Sequence, residues 1–98
     1  MKTLTLWMAT LTFGLFLASA ANAACFADYK AKKSAPLQLQ YGVIKLPDSI
    51  CSDRAAIRKN IAQRISVGGW SLLNVMSVFG PDGLSQRQGS AGDFYLKY

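Results

Sequence analysis

Two cysteines, Cys25 and Cys51, are the residues of this 98-residue chain best suited to a defined chemistry. Thiols of this kind pair when a protein lies in an oxidising compartment. A bond between them closes a loop of about 27 residues, for which loop entropy predicts a stabilisation of about 3.5 kcal/mol. Since no Cys-x-x-Cys motif occurs, a thioredoxin-like exchange site is not indicated. We predict a structural disulfide, with two free buried thiols as the alternative.

Acid-base and metal chemistry find few candidates in this chain. It contains no histidine and no glutamate, so general acid-base work would fall to five aspartates, at positions 28, 48, 53, 82 and 93. We expect each of them in a loop or at an element terminus, with Asp53 a helix cap and Asp82 a turn residue. Two cysteines alone do not make a structural zinc site. The sequence therefore predicts no catalytic, metal-binding or cofactor-binding residues and no cofactor.

The first 23 residues have the composition of a secretory signal peptide. Lys2 is the only charge before Asp28, an apolar run from Leu4 to Ala18 follows it, and small residues occupy positions 18–24. The triplet Ala21-Asn22-Ala23 fits the peptidase consensus, with Ala18-Ser19-Ala20 as a second site. We therefore predict a signal peptide over 1–23, a mature chain over 24–98, and a periplasmic or secreted protein.

Two other interpretations of the same segment stay open. The 21 uncharged residues from Leu4 to Ala24 are long enough for an uncut membrane anchor, since roughly 20 residues span the hydrocarbon core. Cys25 also follows Ala24 directly, as the lipid-bearing cysteine of a lipoprotein would, although Asn22 stands where a large aliphatic residue is expected. After cleavage we expect no stable transmembrane segment.

Positive charge dominates the predicted mature chain and bears on its partners. That part of the chain contains ten lysines and arginines and five aspartates. Basic proteins attract polyanions, which outside the cytoplasm are lipid headgroups and acidic glycans, whereas export argues against nucleic acid. The alternative is that the charge only maintains solubility. The candidate anion-binding residues are Lys30, Lys32, Lys33, Arg54, Arg58, Lys59 and Arg64.

The elements that would position these residues follow from hydrophobic periodicity. Residues 24–36 lack a clear period and are predicted to be an irregular arm, whereas Leu37, Leu39, Tyr41 and Val43 alternate as in a half-buried strand that Pro47 ends. Isoleucines at 57, 61 and 65 predict a helix of about 14 residues, capped by Ser52 or Asp53 and ended by Gly68-Gly69. We predict an apolar strand over 70–79, a turn and a polar loop over 80–92, and a last strand over 93–98.

This order predicts an α+β fold. A single helix would pack on a small three-stranded sheet, mixed or antiparallel, in the order β-α-β-β. If the first two strands are parallel, the helix is a right-handed crossover between them. Seventy-five residues support one small domain that benefits from a covalent staple.

A resemblance to a known family agrees with this order. The segment from Leu37 to Tyr98 resembles a small bacterial β-α-β-β domain family of unknown function, whose signature is Gly-Trp-x-Leu after an amphipathic helix. The resemblance implies a fold and no activity. This chain departs from the family in its exported leader, its cysteine pair and its long loop over 80–92. The matching residues are Tyr41-Gly42-Val43-Ile44, Gly69-Trp70-Ser71-Leu72, Val75 to Phe79 and Phe94-Tyr95-Leu96-Lys97.

One face of the predicted strand over 70–79 is the candidate interface. We expect Trp70, Leu72, Met76 and Val78 to share a face that one helix leaves open, and exposed apolar patches mark interaction sites. The alternative is that the arm covers this face with Phe26 and Tyr29. The leading hypothesis is an exported, non-catalytic interaction or self-association module; the second is a cationic binder of anionic envelope surfaces.

Overall fold

A computed structural model describes residues 24–98, so the predicted signal peptide lies outside the described residues. Three strands and two α-helices follow one another in the order β-β-α-β-α, with short 3-10 turns between them. The 3-10 turns are Asp48–Ile50, Pro81–Gly83 and Gly92–Phe94. The strands and helices are β1 (Cys25–Lys33), β2 (Gln38–Leu46), α1 (Arg54–Ser66), β3 (Ser71–Phe79) and α2 (Ser85–Ala91).

The three strands form one antiparallel sheet in the spatial order β2-β1-β3. The fold is therefore α+β with a three-stranded sheet, as predicted, but the predicted order β-α-β-β with a single helix is wrong, and so is the predicted irregular arm over 24–36. Most of that segment is β1, which occupies the centre of the sheet and pairs with both neighbours. Because β2 and β3 are both antiparallel to β1, they run parallel to each other, and α1 connects them across the central strand.

Alternation along β1 explains its central position. Its odd-numbered residues Ala27, Tyr29 and Ala31 are buried under α1 and belong to the main core. Its even-numbered residues Asp28 and Lys30 lie on the other face, because successive strand side chains point to opposite sides. The two alanines on either side of Tyr29 allow α1 to pack closely on the sheet.

The helix α1 begins, packs and ends as its sequence predicts. The side chain of Asp53 accepts a hydrogen bond from the Ala56 amide at 3.1 Å, which makes Asp53 the N-cap. Ile57, Ile61 and Ile65 are fully buried against the sheet. At the other end Gly69 takes a φ of +84°, and the Trp70 amide donates to the Ile65 carbonyl at 3.3 Å. This is the Schellman geometry that glycine favours.

Arg64 ties α1 to two other segments. Its Nη1 donates to the Lys45 carbonyl at 2.7 Å and to Asn60 Oδ1 at 2.9 Å, and its Nη2 donates to the main-chain oxygen of Tyr98 at 2.9 Å. These bonds join the helix to β2 and to the C-terminal segment. Arg64 therefore has a structural role here, in addition to the positive charge for which the sequence singled it out.

The chain after β3 differs from its prediction. Residues 85–91 form α2 where a polar loop is expected, and residues 92–94 form a 3-10 turn where the last strand is expected to begin. Beyond that turn a single bridge joins Tyr95 to Val43, and the Leu96 amide donates to the Val43 carbonyl at 2.9 Å. Phe94 of this segment instead packs on Trp70, with the two rings edge to face and their centres 5.4 Å apart.

The disulfide is present as predicted. Cys25 and Cys51 are bonded, with their Cα atoms 6.0 Å apart, and no free cysteine remains in the described residues. The bond joins the first residue of β1 to the turn that precedes α1. It therefore fastens the central strand to the helical layer at one end of the sheet. A disulfide suits an oxidising, extracytoplasmic compartment.

A first testable consequence concerns Gly42, which faces Tyr29 across β1 and β2. A Cβ atom at position 42 would lie 2.9 Å from Tyr29 Cε1 and closer still to the phenol oxygen. Gly42→Ala is therefore expected to destabilise the fold by about 2 kcal/mol through overpacking. Urea denaturation followed by fluorescence measures this change. Gly89→Ala is the control, because a Cβ at position 89 meets nothing within 4 Å; equal stability of the Gly42 variant and wild type would contradict the prediction.

Candidate binding edge and buried carboxylate

The strand β3 lies at an edge of the sheet and is unusually free of protection. Within residues 24–98 it pairs with β1 on one side and with no strand on the other. Its nine residues carry no charge, no proline and no glycine. Natural proteins usually shield such an edge with lysine, proline or a covering segment, because its free amides and carbonyls pair readily with another strand. The opposite edge, β2, is partly covered by the Tyr95 and Leu96 contacts with Val43.

Two irregularities in the pairing with β1 turn individual side chains of β3 outward. The register shifts between Asp28 and Tyr29 and again between Lys30 and Ala31, which leaves Met76 and Leu73 without direct partners. Both side chains are exposed, Met76 at 46% and Leu73 at 43%. Bulges of this kind re-aim side chains along an edge. The edge of β3 is therefore both unpaired and apolar.

A groove runs between α1 and the beginning of β3. Its volume is about 630 Å³. On the helix side Arg58 and Lys59 are exposed and alternate with small alanines, and on the strand side Trp70 forms part of the wall. The residues that line it are Ala55, Arg58, Lys59, Ala62, Ser66, Trp70, Ser71 and Leu72. The groove thus combines an apolar floor, two cations and the free main chain of an edge strand; we call it the edge groove.

The basic residues singled out from the sequence do not form one joint surface. Arg58 and Lys59 line the edge groove, and Lys33 Nζ lies 4.6 Å from the centre of the Trp70 ring beside it. Lys30 and Lys32 lie on the sheet face opposite α1, because they alternate with the core residues of β1. Arg54 is exposed at the first turn of α1. Arg64 is engaged in the three hydrogen bonds described above.

The four residues of the candidate interface do not share an open face. Trp70 is 8% exposed and belongs to the main core, and Leu72 and Val78 pack against that core as partly buried residues. Only Met76 is exposed. The physical reason is the pair of bulges, which places residues three apart on the same side of β3 and interrupts the alternation from which the shared face was predicted.

The sheet face opposite α1 carries a buried carboxylate that sequence reasoning missed. Asp28 is 6% exposed in the middle of β1, so its predicted place in a loop or at an element terminus is wrong. Tyr41 donates its hydroxyl to Oδ2 at 2.8 Å, Ser77 donates to Oδ1 at 2.6 Å, and Arg87 Nε donates to Oδ2 at 3.1 Å. The three strands and α2 each contribute one member of this cluster.

Arg87 reaches the carboxylate from α2 and is itself held in place. Its Nη1 donates to the Gly83 carbonyl at 2.7 Å, and its guanidinium lies 4.0 Å from the centre of the Phe79 ring. Phe79 in turn stacks on Phe26 with ring centres 6.2 Å apart. The cluster therefore anchors α2 to the second face of the sheet, which accounts for a helix in a stretch as polar as Ser85–Ala91.

The pKa values in the cluster follow from these contacts. Burial raises the pKa of Asp28, but the hydrogen bonds from Ser77, Tyr41 and Arg87 and the guanidinium charge outweigh it and hold this pKa below its ordinary value of 3.8. Burial, and then the hydrogen bond to Asp28, raise the pKa of Tyr41 to about 12. A carboxylate with three donors and a depressed pKa is a poor general base, so the arrangement favours structure over proton transfer.

Nowhere in residues 24–98 do three histidine, cysteine or acidic side chains come together as metal ligands would. No helix in the same range has the length and apolar character needed to cross a membrane.

Comparison with protein-family models, with curated proteins and with solved structures found no match to this chain. The resemblance to the β-α-β-β family therefore stays a prediction.

Proposed function

We propose that this chain is an exported, non-catalytic binding module that captures an extended segment of a partner protein on the edge of β3. In this proposal residues 1–23 are a signal peptide and residues 24–98 act in the periplasm or outside the cell, where the disulfide is stable. The observation that carries it is a nine-residue uncharged edge strand lying beside a groove with two exposed cations.

Strand addition explains how these features act together. An incoming strand satisfies the free amides and carbonyls of β3, which supplies affinity without demanding a particular sequence. Its alternate side chains enter the edge groove, which supplies selectivity. Arg58 and Lys59 then favour carboxylates at those positions, because no acidic residue occurs between positions 54 and 81 to neutralise them.

A partner with acidic side chains fits better than a second copy of this chain. Residues 24–98 carry ten basic residues against five acidic ones, so two copies repel each other as they approach. Self-association through β3 also brings no carboxylate of the β3 strand to the two cations, since that strand is uncharged. We therefore commit to a separate acidic partner segment.

A synthetic peptide tests the proposal directly. The probe alternates valine with aspartate, and the control is the same peptide with every backbone nitrogen methylated, which keeps the charge and removes the donors on both edges. We expect the unmodified peptide to shift the amide resonances of residues 71–79 in nuclear magnetic resonance spectra, and the methylated one to bind at least about tenfold more weakly. Equal binding of the two peptides, or unchanged β3 amides, would refute strand addition.

Charge reversal in the edge groove is a second test of the proposal. Arg58→Glu with Lys59→Glu is expected to weaken the unmodified peptide about tenfold, whereas Arg54→Glu with Lys45→Glu alters net charge equally at sites that do not line the groove. Titration calorimetry compares the two double variants. The same loss in both would show that net charge, rather than the edge groove, attracts the peptide, and would count against the proposal.

A further inference from the structure

One end of the sheet gathers exposed apolar side chains. It is the end where residues 34–37 join β1 to β2 and where α1 ends beside β3. Six large apolar side chains are strongly exposed in residues 24–98, and four of them lie here: Leu37 at 67%, Leu39 at 66%, Val67 at 83% and Leu73 at 43%. We call this the hairpin end and include Lys30 and Lys32 in it. Solvent-exposed clusters of this kind mark a contact surface.

The pairing of the strands places these residues together. Leu39 lies opposite Lys32 in the register of β1 and β2, and Leu39, Leu73 and Lys30 share the lining of a cavity of about 230 Å³ on the face opposite α1. The end of α1 is adjacent, because the Lys33 side chain lies within van der Waals reach of position 69. Leu39 and Leu73 therefore lie beside the aliphatic part of the Lys30 side chain on one continuous surface.

Unbalanced positive charge accompanies the apolar residues. Positions 29–47 and 54–81 contain no aspartate and no glutamate. Among the described residues the one ion pair joins Arg87 and Asp28, so Lys30 and Lys32 have no carboxylate partner there. Both lie on the same face as Leu39. The surface thus offers apolar insertion and cationic attraction without a competing negative charge.

We propose that the hairpin end docks on a membrane that contains anionic phospholipid, with Leu37 and Leu39 entering the boundary between headgroups and acyl chains. Lys30 and Lys32 then lie at the level of the phosphates. A few apolar side chains or a few cations alone bind membranes weakly, and the two together make a stable peripheral contact. Exposed aliphatic side chains such as these suit a fluid lipid surface better than the shaped pocket of a protein partner, whose anchors are usually aromatic.

Vesicle sedimentation with the disulfide-bonded, exported protein tests this docking. The probes are vesicles of phosphatidylcholine alone and of phosphatidylcholine mixed with phosphatidylglycerol. We expect binding to the mixed vesicles only, weakening as salt increases. Lys30→Gln with Lys32→Gln is expected to reduce the partition coefficient by roughly twenty-fivefold, since each lysine near an anionic surface contributes about fivefold. Leu37→Ser with Leu39→Ser is expected to reduce it by at least about tenfold.

A matched pair of substitutions controls for net charge. Lys45→Gln with Arg54→Gln removes the same two charges at the disulfide end of the molecule, where Lys45 pairs with Phe26 and Arg54 follows Cys51 closely. We expect this variant to keep nearly all of the binding. Equal losses in the two charge variants, or full binding by the serine variant, would overturn the proposal. So would equal affinity of wild type for dextran sulfate and for the mixed vesicles, because a soluble polyanion offers nothing for the leucines to enter.

Discussion

Replacing Asp28 with asparagine is expected to lower the free energy of unfolding by about 3 kcal/mol, although the two side chains have nearly the same shape. The substitution removes the charge that balances Arg87 in a largely buried setting, and such losses typically cost several kcal/mol. Asparagine also replaces one of the two acceptor oxygens with an NH2 group, which cannot accept a hydrogen bond. Tyr41, Ser77 and Arg87 all donate to this carboxylate, so at least one of them loses its acceptor. Urea denaturation of wild type and variant measures the difference.

The same substitution has a pH signature that a simple packing defect lacks. The pKa of Asp28 is lower in the folded protein than its ordinary value of 3.8, so the folded state binds the proton less readily than the unfolded state. The stability that this carboxylate contributes is therefore complete above pH 3.8 and is lost as the pH falls through the folded-state pKa. The gap between wild type and Asp28→Asn should narrow in acid.

An exposed aspartate provides the comparison. Asp48 lies in the 3-10 turn after β2 and is exposed, so Asp48→Asn should change stability by less than about 0.5 kcal/mol. A gap between wild type and Asp28→Asn that stays constant from neutral pH to well below 3.8 would show that the buried ion pair is not the source of the loss.

Opening the disulfide is the second large effect. The bonded cysteines are 26 residues apart, which predicts that reduction lowers the free energy of unfolding by about 3.5 kcal/mol. The reason is that the closed loop restricts the conformational entropy of the unfolded chain, and reduction removes this restriction. For a domain of this size such a loss is a large share of the total stability. Thermal and urea unfolding with and without a phosphine reductant measure it.

Two forms of the protein separate the bond from the packing of its atoms. The reduced protein keeps both sulfur atoms, whereas Cys25→Ala with Cys51→Ala also removes sulfur from a residue that is buried in the core. We expect the alanine variant to be somewhat less stable than the reduced wild type. Identical unfolding midpoints for the oxidised and reduced wild type would mean that the covalent link contributes nothing.

The helix and the disulfide could be predicted from the sequence because their signals are local or compositional. Three isoleucines four residues apart, an acceptor at Asp53 and a glycine at position 69 all point to the same helix, and the structure has it. Two cysteines in a chain with a predicted signal peptide point to one bond, and the structure has it. Each of these inferences rests on chemistry that needs no knowledge of distant contacts.

The central strand could not be recognised with the same rules, although a signal for it exists. Ala27, Tyr29 and Ala31 alternate with Asp28 and Lys30, which is a period of two. Alanine and lysine are weak strand formers, so the pattern reads as irregular. What makes the segment a strand is pairing on both sides and, at Gly42, a gap in the neighbouring strand into which Tyr29 fits.

The face of β3 was mispredicted for a different reason. Strict alternation groups Leu72 with Met76 and Val78, whereas the two bulges bring Leu72, Val75 and Val78 to the core side. A bulge arises from how one strand fits another, and a single strand carries no reliable sign of it. The Asp28 cluster was missed likewise, since its partners lie 13, 49 and 59 residues away.

The position of β1 also has a consequence for the order of assembly. Both of its neighbours follow it along the chain, and the second of them ends at Phe79. Of the three strands, β1 is thus the first to be made and the last to obtain all of its hydrogen-bonding partners. Such connectivity delays completion of the sheet until residue 79 of 98 has been made, so a shorter nascent chain cannot form it.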